Sequence, residues 1–451
     1  MKVLILGGNA TGMSVASKLK RNNQNIELQV IESTEVVSFG NCGLPYFIGG
    51  YFNDEDYMIA KDISKFKESG IKINLNTRVL MIDFIHKNVT VCTNKKDIEK
   101  IKYDKLVIAT GSLPILPNKF TNIRNVFTLK TLLDAKNIIP QLENLENQNI
   151  SILGGGYIGV EMLDVLVEKY PDKKFYLIEG KKSILPMLDE EMVEPIIKQL
   201  KSYKNLEIIV NEFVDSIVVD EENNIKSVKT NQRSLKTDMM ICSIGVNPNV
   251  DFLEKSVFLN EKIATLENGA ILINNKGETN LEDVYSGGDC ASVFHKVLGK
   301  DVYIPLATTA NKIGRMIADS ICEKENNFEG TIGSSSLKVC GFEVAKAGIS
   351  EQEAILNNIA YKKISFEDYN HTNYYPNQQK IYIKILFNPE NFEILGAQMV
   401  GKDGVALRMH VFSLAIIKKI SIKEFGNMDF GYSPPFSRVY DILNIAGNLA
   451  K

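Results

Sequence analysis

Three hydrophobic patterns divide the chain. The first is a short unbroken apolar run, Val3-Leu4-Ile5-Leu6, followed by the turn Gly7-Gly8-Asn9-Ala10-Thr11-Gly12 and a helical period from 13 to about 21. An unbroken run predicts a strand buried on both faces, as in parallel sheets. Strand, glycine turn and helix in succession predict a dinucleotide-binding opening. Leu28-Gln29-Val30-Ile31 is the next strand, closed by Glu32, whose carboxylate can accept both hydroxyls of a ribose. The second glycine of G-x-G-x-x-G is replaced by Asn9, so the motif taken alone is weak.

The same pattern returns in cleaner form. Ser151-Ile152-Leu153 leads into Gly154-Gly155-Gly156-Tyr157-Ile158-Gly159, with Glu161 in the helix that follows, and Phe175-Tyr176-Leu177-Ile178 ends at Glu179. Gly154 makes the turn, Gly156 lets a pyrophosphate approach the backbone, and Gly159 lets helix and strand pack closely. Glu179 repels a 2′-phosphate and so favours NADH over NADPH, against the pull of Lys181 and Lys182. Each copy is closed by a strand and turn, 106–111 and 240–245. A further segment, Val284-Tyr285-Ser286-Gly287-Gly288-Asp289, sets an acid just past a buried strand, where it can hold a sugar-alcohol chain or cap the next helix. Two such folds in one chain imply two cofactors side by side.

Past residue 325 the third pattern begins. Lys380-Ile381-Tyr382-Ile383-Lys384-Ile385-Leu386 alternates as a half-buried antiparallel strand, 393–398 can pair with it, and 405–419 reads as a helix. Tyr432-Ser433-Pro434-Pro435-Phe436-Ser437-Arg438 predicts a rigid non-helical segment. No nucleotide motif appears in this part.

Composition narrows the function classes. With 451 residues the chain exceeds one hydrophobic core and predicts two or three domains. A net charge of -3 gives no global attraction for nucleic acid or anionic membrane. No apolar run approaches a membrane span or a signal peptide, and a cytoplasmic protein is expected. Six cysteines without a CxxC and four histidines without helical pairing suggest neither a disulfide framework nor a metal site.

One cysteine stands apart, in Ser38-Phe39-Gly40-Asn41-Cys42-Gly43-Leu44-Pro45-Tyr46. Pro45 suits the first turn of a helix, whose N-terminus can stabilise a thiolate just before it. Paired-cysteine flavin disulfide reductases carry a second cysteine five residues away, and those positions here are Val37 and Phe47. The bland alternative is a small buried hydrophobe.

These motifs in this order resemble, over essentially the whole chain, the FAD-dependent pyridine nucleotide-disulfide oxidoreductases with two dinucleotide-binding domains. The Ser38–Tyr46 signature, His371-Thr372-Asn373-Tyr374-Tyr375-Pro376 and the 432–436 stretch resemble their single-cysteine branch, the coenzyme A disulfide reductases. The resemblance implies an α/β chain: a Rossmann-like FAD domain from 1–113 and 250–325, a Rossmann-like NAD(P)H domain at 114–249, and an α+β dimerisation domain at 326–451. It implies FAD contacts from Gly7, Gly12, Glu32, Val79, Thr110, Gly111, Asp289, Leu306 and Thr308. The nicotinamide nucleotide would be framed by Gly154, Gly156, Tyr157, Ile158, Gly159, Glu179 and Gly245. Coenzyme A would be met by Ser14, Lys18, Arg21, Ser38, Asn41 and Asn311, with Ser14, Lys18 and Arg21 on one helix face. Cys42, Tyr374 and Tyr432 would carry the chemistry in a homodimer that reduces coenzyme A disulfide with NADH or NADPH.

Two rival activities share the single cysteine. NADH peroxidases and oxidases of this kind use it as a sulfenic acid and place a histidine in the first glycine turn, where this chain has Asn9 and Ala10. Persulfide or polysulfide reduction ranks after it, since some such relatives add a sulfurtransferase domain not read in these residues. A non-enzymatic or electron-transfer flavoprotein would need no redox cysteine.

Overall fold

The computed structural model describes residues 1–326 and 328–450, and its centre is two parallel five-stranded sheets built to one plan. In the first, Lys2–Leu6 lies between Glu27–Ile31 and Lys105–Ile108, with Ile71–Asn74 and Val284–Ser286 at the edges. In the second, Asn149–Leu153 lies between Lys174–Glu179 and Met239–Cys242, with Leu206–Val210 and Val126–Phe127 at the edges. Val3 to Leu6 and Ile150 to Leu153 are buried on both faces, which is why their sequences lack alternation. Each sheet carries a three-stranded antiparallel meander, Thr77–Lys102 and Val214–Lys236 at its limits, that the sequence reading did not anticipate. The chain crosses between the two folds twice, and the crossings pair with each other, Ser112–Pro114 against Val246–Pro248.

The first glycine turn opens the helix Ala10–Asn22, about a turn earlier than the apolar period indicated, because Ala10 and Thr11 are already helical. That helix packs on Ala307–Ile321, where Gly314 faces Thr11 and Ser14. The second turn opens Tyr157–Val167, which packs on the short helix Leu44–Gly49 of the first fold.

The C-terminal part is a five-stranded antiparallel sheet in the order Ser335–Val339, Phe342–Gly348, Ile394–Gly401, Lys380–Phe387, Lys362–Tyr369. The pairing of Lys380–Phe387 with Ile394–Gly401 follows the sequence reading, and the helix Val405–Ile417 ends two residues earlier than read. The expected half-buried alternation of Lys380–Phe387 is overturned, since both faces of its centre are covered. At Lys384 the covering is polar and comes from the second fold together with Glu351 of the C-terminal part. Lys384, fully buried, is ion-paired with Asp189 at 2.9 Å, with Glu191, and with Glu351 at 2.6 Å. Three carboxylates make burial of that ammonium tolerable and join the second fold to the C-terminal sheet.

Candidate active site

Cys42 lies in the short turn Asn41–Gly43, just ahead of the six-residue helix Leu44–Gly49. Among the described residues all six cysteines are free and Cys42 is the exposed one. Its loop is tied to the molecule on several sides. The Ser38 N–H donates to the Gly8 carbonyl at 2.8 Å and the Gly40 N–H to that of Met58 at 2.7 Å. Lys169 of the second fold donates to the Ile48 carbonyl at 2.9 Å, near the C-terminal end of the short helix where a cation is favoured. Ser38 holds a left-handed φ of 56°, which nothing in the sequence signalled.

The electrostatics correct the expectation of a thiol acidified by a helix. The protein mass around the cleft pushes the Cys42 pKa up from its ordinary value, the Glu161 and Asp289 carboxylates add to the rise, and Lys130 and a backbone N–H oppose it. The helix after it is short and Cys42 precedes its first turn, and burial, reinforced by the two carboxylates, sets the direction. Glu161 is itself perturbed: burial and the neighbouring Asp164 raise its carboxyl pKa to about 7. The sequence named Glu161 without a role, and Lys130 not at all.

The first glycine turn and its acid are brought together as read. Glu32 accepts the Gly8 N–H at 2.7 Å and the Thr34 N–H at 2.7 Å, which orients the carboxylate and leaves lone pairs free for sugar hydroxyls. Gly12 packs so tightly that a Cβ there would lie 1.9 Å from the Gly7 carbonyl oxygen. Val79 sits half-buried at a bulge in the meander strand Thr77–Asp83, whose first N–H donates to the Glu32 carbonyl. Thr110 and Gly111 are clasped by Asn249, which accepts from Thr110 Oγ1 at 2.7 Å and donates its N–H to Gly111 at 2.9 Å. Asp289 caps no helix; it accepts from Ser112 at 3.1 Å and pairs with Lys130 at 3.4 Å. Leu306 and Thr308 stand at the start of Ala307–Ile321.

At the second turn, Glu179 accepts from Gly155 at 2.7 Å and from Lys181 at 2.8 Å. Gly154 and Gly245 both hold left-handed φ, and the space above Gly156 is open. Ile158 is half-buried in the helix Tyr157–Val167. The Tyr157 hydroxyl bonds to Ser335 Oγ of the C-terminal sheet at 2.5 Å, so it serves a domain contact. Phe213, which the sequence reading missed, lies exposed with its ring against Gly180, next to Glu179.

Ala10–Asn22, Tyr157–Val167 and Ala307–Ile321 are among the helices with no side chain capping their first turn, as are Glu190–Leu200 and Val405–Ile417. The free N–H groups and positive dipole ends of the first three fit anionic groups, pyrophosphate at the two glycine turns and a reduced flavin ring at Ala307–Ile321. The residues present fit two dinucleotides.

The substrate candidates separate. Ser14 Oγ donates to Asn311 Oδ1 at 2.7 Å, so these two meet. Lys18 is ion-paired with Asp319, and Arg21 stays exposed, so among the described residues the expected basic stripe offers one free cation rather than two. Asn41 joins Asn9 and the Lys130 carbonyl. Tyr374 and Tyr432, far apart in sequence, meet hydroxyl to hydroxyl at 2.5 Å on the exposed face of the C-terminal part. Their hydrogen bond raises the pKa of Tyr432.

Comparison with known proteins agrees with this geometry. The family model for pyridine nucleotide-disulphide oxidoreductases matches residues 1–314, and the model for their dimerisation domain matches 334–442. The chain is 30% identical over 451 residues to an NAD(P)H coenzyme A polysulfide/persulfide reductase of Pyrococcus horikoshii, covering 100% of this chain and 98% of that protein. It is 29% identical over 456 residues to a coenzyme A disulfide reductase of Staphylococcus aureus, covering both chains fully at 100%. The crystal structure of reduced Bacillus anthracis CoADR-RHD superposes with a TM-score of 0.93 at 30% identity, covering 99% of this chain and 79% of that one.

Proposed function

This chain belongs to the pyridine nucleotide-disulphide oxidoreductase family, and we propose that within it the protein is an FAD-dependent NAD(P)H:coenzyme A disulfide reductase working through Cys42. One observation carries the reading: a single exposed, unpaired cysteine held beside the first glycine turn, with no second cysteine at Val37 or Phe47 to pair with it. A lone thiol can complete a disulfide cycle only if the substrate supplies the second sulfur.

Cys42 as thiolate attacks one sulfur of coenzyme A disulfide. The substrate S–S bond breaks, a Cys42–coenzyme A mixed disulfide forms, and one coenzyme A leaves as thiolate. The first glycine turn, Glu32 and Asp289 would hold FAD, which when reduced by NADH or NADPH would supply the two electrons that return the mixed disulfide to Cys42 thiolate and a second coenzyme A thiolate. Tyr374 and Tyr432, joined as one hydrogen-bonded pair, protonate the departing thiolate. In a homodimer this pair faces Cys42 of the other protomer; exposed Leu407, Leu414, Ile417, Phe436, Val439 and Tyr440 give the C-terminal part apolar surface for that contact. Ser38, Asn41, and the Ser14–Asn311 pair with Arg21 beyond it line the approach of coenzyme A, Arg21 meeting phosphate. FAD is held by 1–113 and 250–325, the nicotinamide nucleotide by 114–249, and dimerisation rests on 326–451, a division supported by the paired crossings. A reducing cytoplasm suits six free thiols.

Cys42→Ser tests the reading. The variant should keep its flavin and accept hydride from NADH, while coenzyme A disulfide turnover disappears. Turnover near the parent rate would make Cys42 structural and end the proposal. The intact mass of protein denatured without reductant separates the acceptors: a coenzyme A adduct on Cys42 supports the disulfide, an added sulfur the persulfide activity named for the Pyrococcus relative, and an added oxygen the peroxidase.

A further inference from the structure

Asn9 stands where the helix Ala10–Asn22 begins, the position at which asparagine ordinarily caps the first turn with its side chain. Here it makes no such bond. Its Oδ1 accepts the Phe39 N–H at 2.8 Å and its Nδ2 donates to Asn41 Oδ1 at 3.2 Å, both in the loop that carries Cys42. Asn41 in turn donates to the Lys130 carbonyl at 2.5 Å, and Lys130 Nζ donates to Ser112 Oγ at 3.0 Å beside Asp289. The first-turn N–H groups of the helix stay free of side chains. The residue that departs from the glycine pattern therefore does two things glycine could not. It fixes the residues on the N-terminal side of Cys42, and it does so from within the cradle of the first cofactor.

We propose that Asn9 is a positioning residue for Cys42, acting through Phe39 and Asn41 and coupling the first glycine turn to the cysteine loop. The activity arm of the test rests on Cys42 being the nucleophile, as proposed above. The thiol-reactivity arm does not.

The test uses holoenzyme reduced with NADH, in which alkylation of Cys42 by iodoacetamide is followed by mass as a function of pH. The variants are Asn9→Gly, Asn9→Ala, Asn41→Ala and the double Asn9→Ala/Asn41→Ala. Asn9→Gly restores the common motif, so it should retain FAD and NADH-driven flavin reduction. Its Cys42 should alkylate faster because the loop is released, and coenzyme A disulfide turnover should fall about tenfold through lost positioning. In the cycle, the double variant should alkylate faster than either single variant but by less than the product of the two effects, because the changes share the Asn9–Asn41 bond while each also cuts one of its own, to Phe39 or to the Lys130 carbonyl. Parent alkylation rates and pH profile in Asn9→Gly, or additive effects in the double variant, would overturn the proposal. Changed alkylation with parent turnover would uphold the tie and overturn the role of Cys42 as nucleophile instead. Should Asn9→Gly lose its flavin, the alkylation arm passes to Asn41→Ala, which lies outside the turn; its turnover is left out because Asn41 also lines the coenzyme A approach.

Discussion

Gly8 and Gly155 each donate an N–H at 2.7 Å to a carboxylate 24 residues further on, Glu32 in the first fold and Glu179 in the second. The likeness extends well past the glycines. Gly7 and Gly154 bond at 2.8 Å to the carbonyls of Ile31 and Ile178, and Asn76 and Asn211, both left-handed, donate at 2.9 Å to Thr34 and Lys181. Among the side-chain positions that differ on this common backbone are Asn9 against Gly156, Ser14 against Glu161, Ser33 against Gly180, and Arg78 against Phe213. The shared part is hydrogen-bonded backbone that sets where a pyrophosphate and a ribose can lie. The differing part decides the further work of each fold. The first holds the cysteine loop through Asn9, and the second brings a titratable carboxylate and an exposed aromatic ring.

The sharpest way to break the likeness is to fill the same gap in each fold. A Cβ at Gly12 or at Gly159 would lie 1.9 Å from the carbonyl oxygen of Gly7 or Gly154. Overpacking of this kind costs ~1–3 kcal/mol, so Gly12→Val should weaken flavin binding roughly 10- to 100-fold and give largely colourless protein. Gly159→Val should stay yellow and lose affinity for the nicotinamide nucleotide by a similar factor. Flavin content by absorbance and stopped-flow reduction by NADH read the two arms. Loss of flavin from both variants would mean the folds are not independent cofactor sites.

Much of this was legible because backbone plans leave strong marks. Apolar runs, glycine turns and the acid closing the next strand determine hydrogen bonds that depend little on the rest of the molecule. The duplicated sheets and the places of Glu32 and Glu179 beside their glycine turns followed from them, whereas the bond between Ser14 and Asn311, two residues the resemblance set around coenzyme A without joining them, did not. What escaped depends on contacts between distant segments. Lys384 reads as the polar side of an alternating strand until Asp189 and Glu191 of another fold cover it. Lys18 reads as a free cation until Asp319 arrives from a helix near residue 320. The Cys42 thiol reads as acidified until Glu161 and Asp289, from two different parts of the chain, are seen to face it.

Glu161 gives the next test, because its counterpart Ser14 carries no charge. Its carboxyl, raised to about 7, is ionised when the thiol of Cys42 titrates, and its charge then opposes the thiolate. In Glu161→Gln the alkylation profile of Cys42 should move to lower pH, making alkylation at a fixed pH below the thiol pKa roughly tenfold faster. Stability carries a second sign. The folded chain holds a proton that the unfolded chain, with an ordinary carboxyl of 4.5, has lost, so from there to about 7 this group lowers stability as pH rises. Glu161→Gln should flatten that part of a melting-temperature profile. A profile of Cys42 that stays in place would separate the two groups electrostatically. Ser14→Ala, the matching change in the first fold, should leave the thiol profile unmoved.

The smallest expected effect belongs to Phe213. Phe213 is 62% exposed and its ring meets Gly180, where a Cβ would come within 2.5 Å of Cε1, so glycine there is what lets the ring approach the residue after Glu179. An exposed aromatic ring near the acid proposed to hold a ribose offers a surface on which an adenine can stack. At the matching place the first fold has Ser33 and Arg78, with no aromatic ring. Stacking of a base on an aromatic side chain is worth ~1–3 kcal/mol. Because one face of this ring stays open to water, the lower end applies, and Phe213→Ala should raise KM for NADH about fivefold with kcat unchanged. NADPH should suffer by the same factor, since adenine is common to both. The chain contains no tryptophan, so Phe213→Trp would create its single indole reporter. Adding AMP or ADP-ribose to that variant should quench the indole emission, whereas nicotinamide mononucleotide, which lacks the adenine, should not. Equal responses to both, or none, together with an unchanged KM in Phe213→Ala, would reduce Phe213 to a cover over Gly180 and remove it from the side chains that give the second fold work the first does not do.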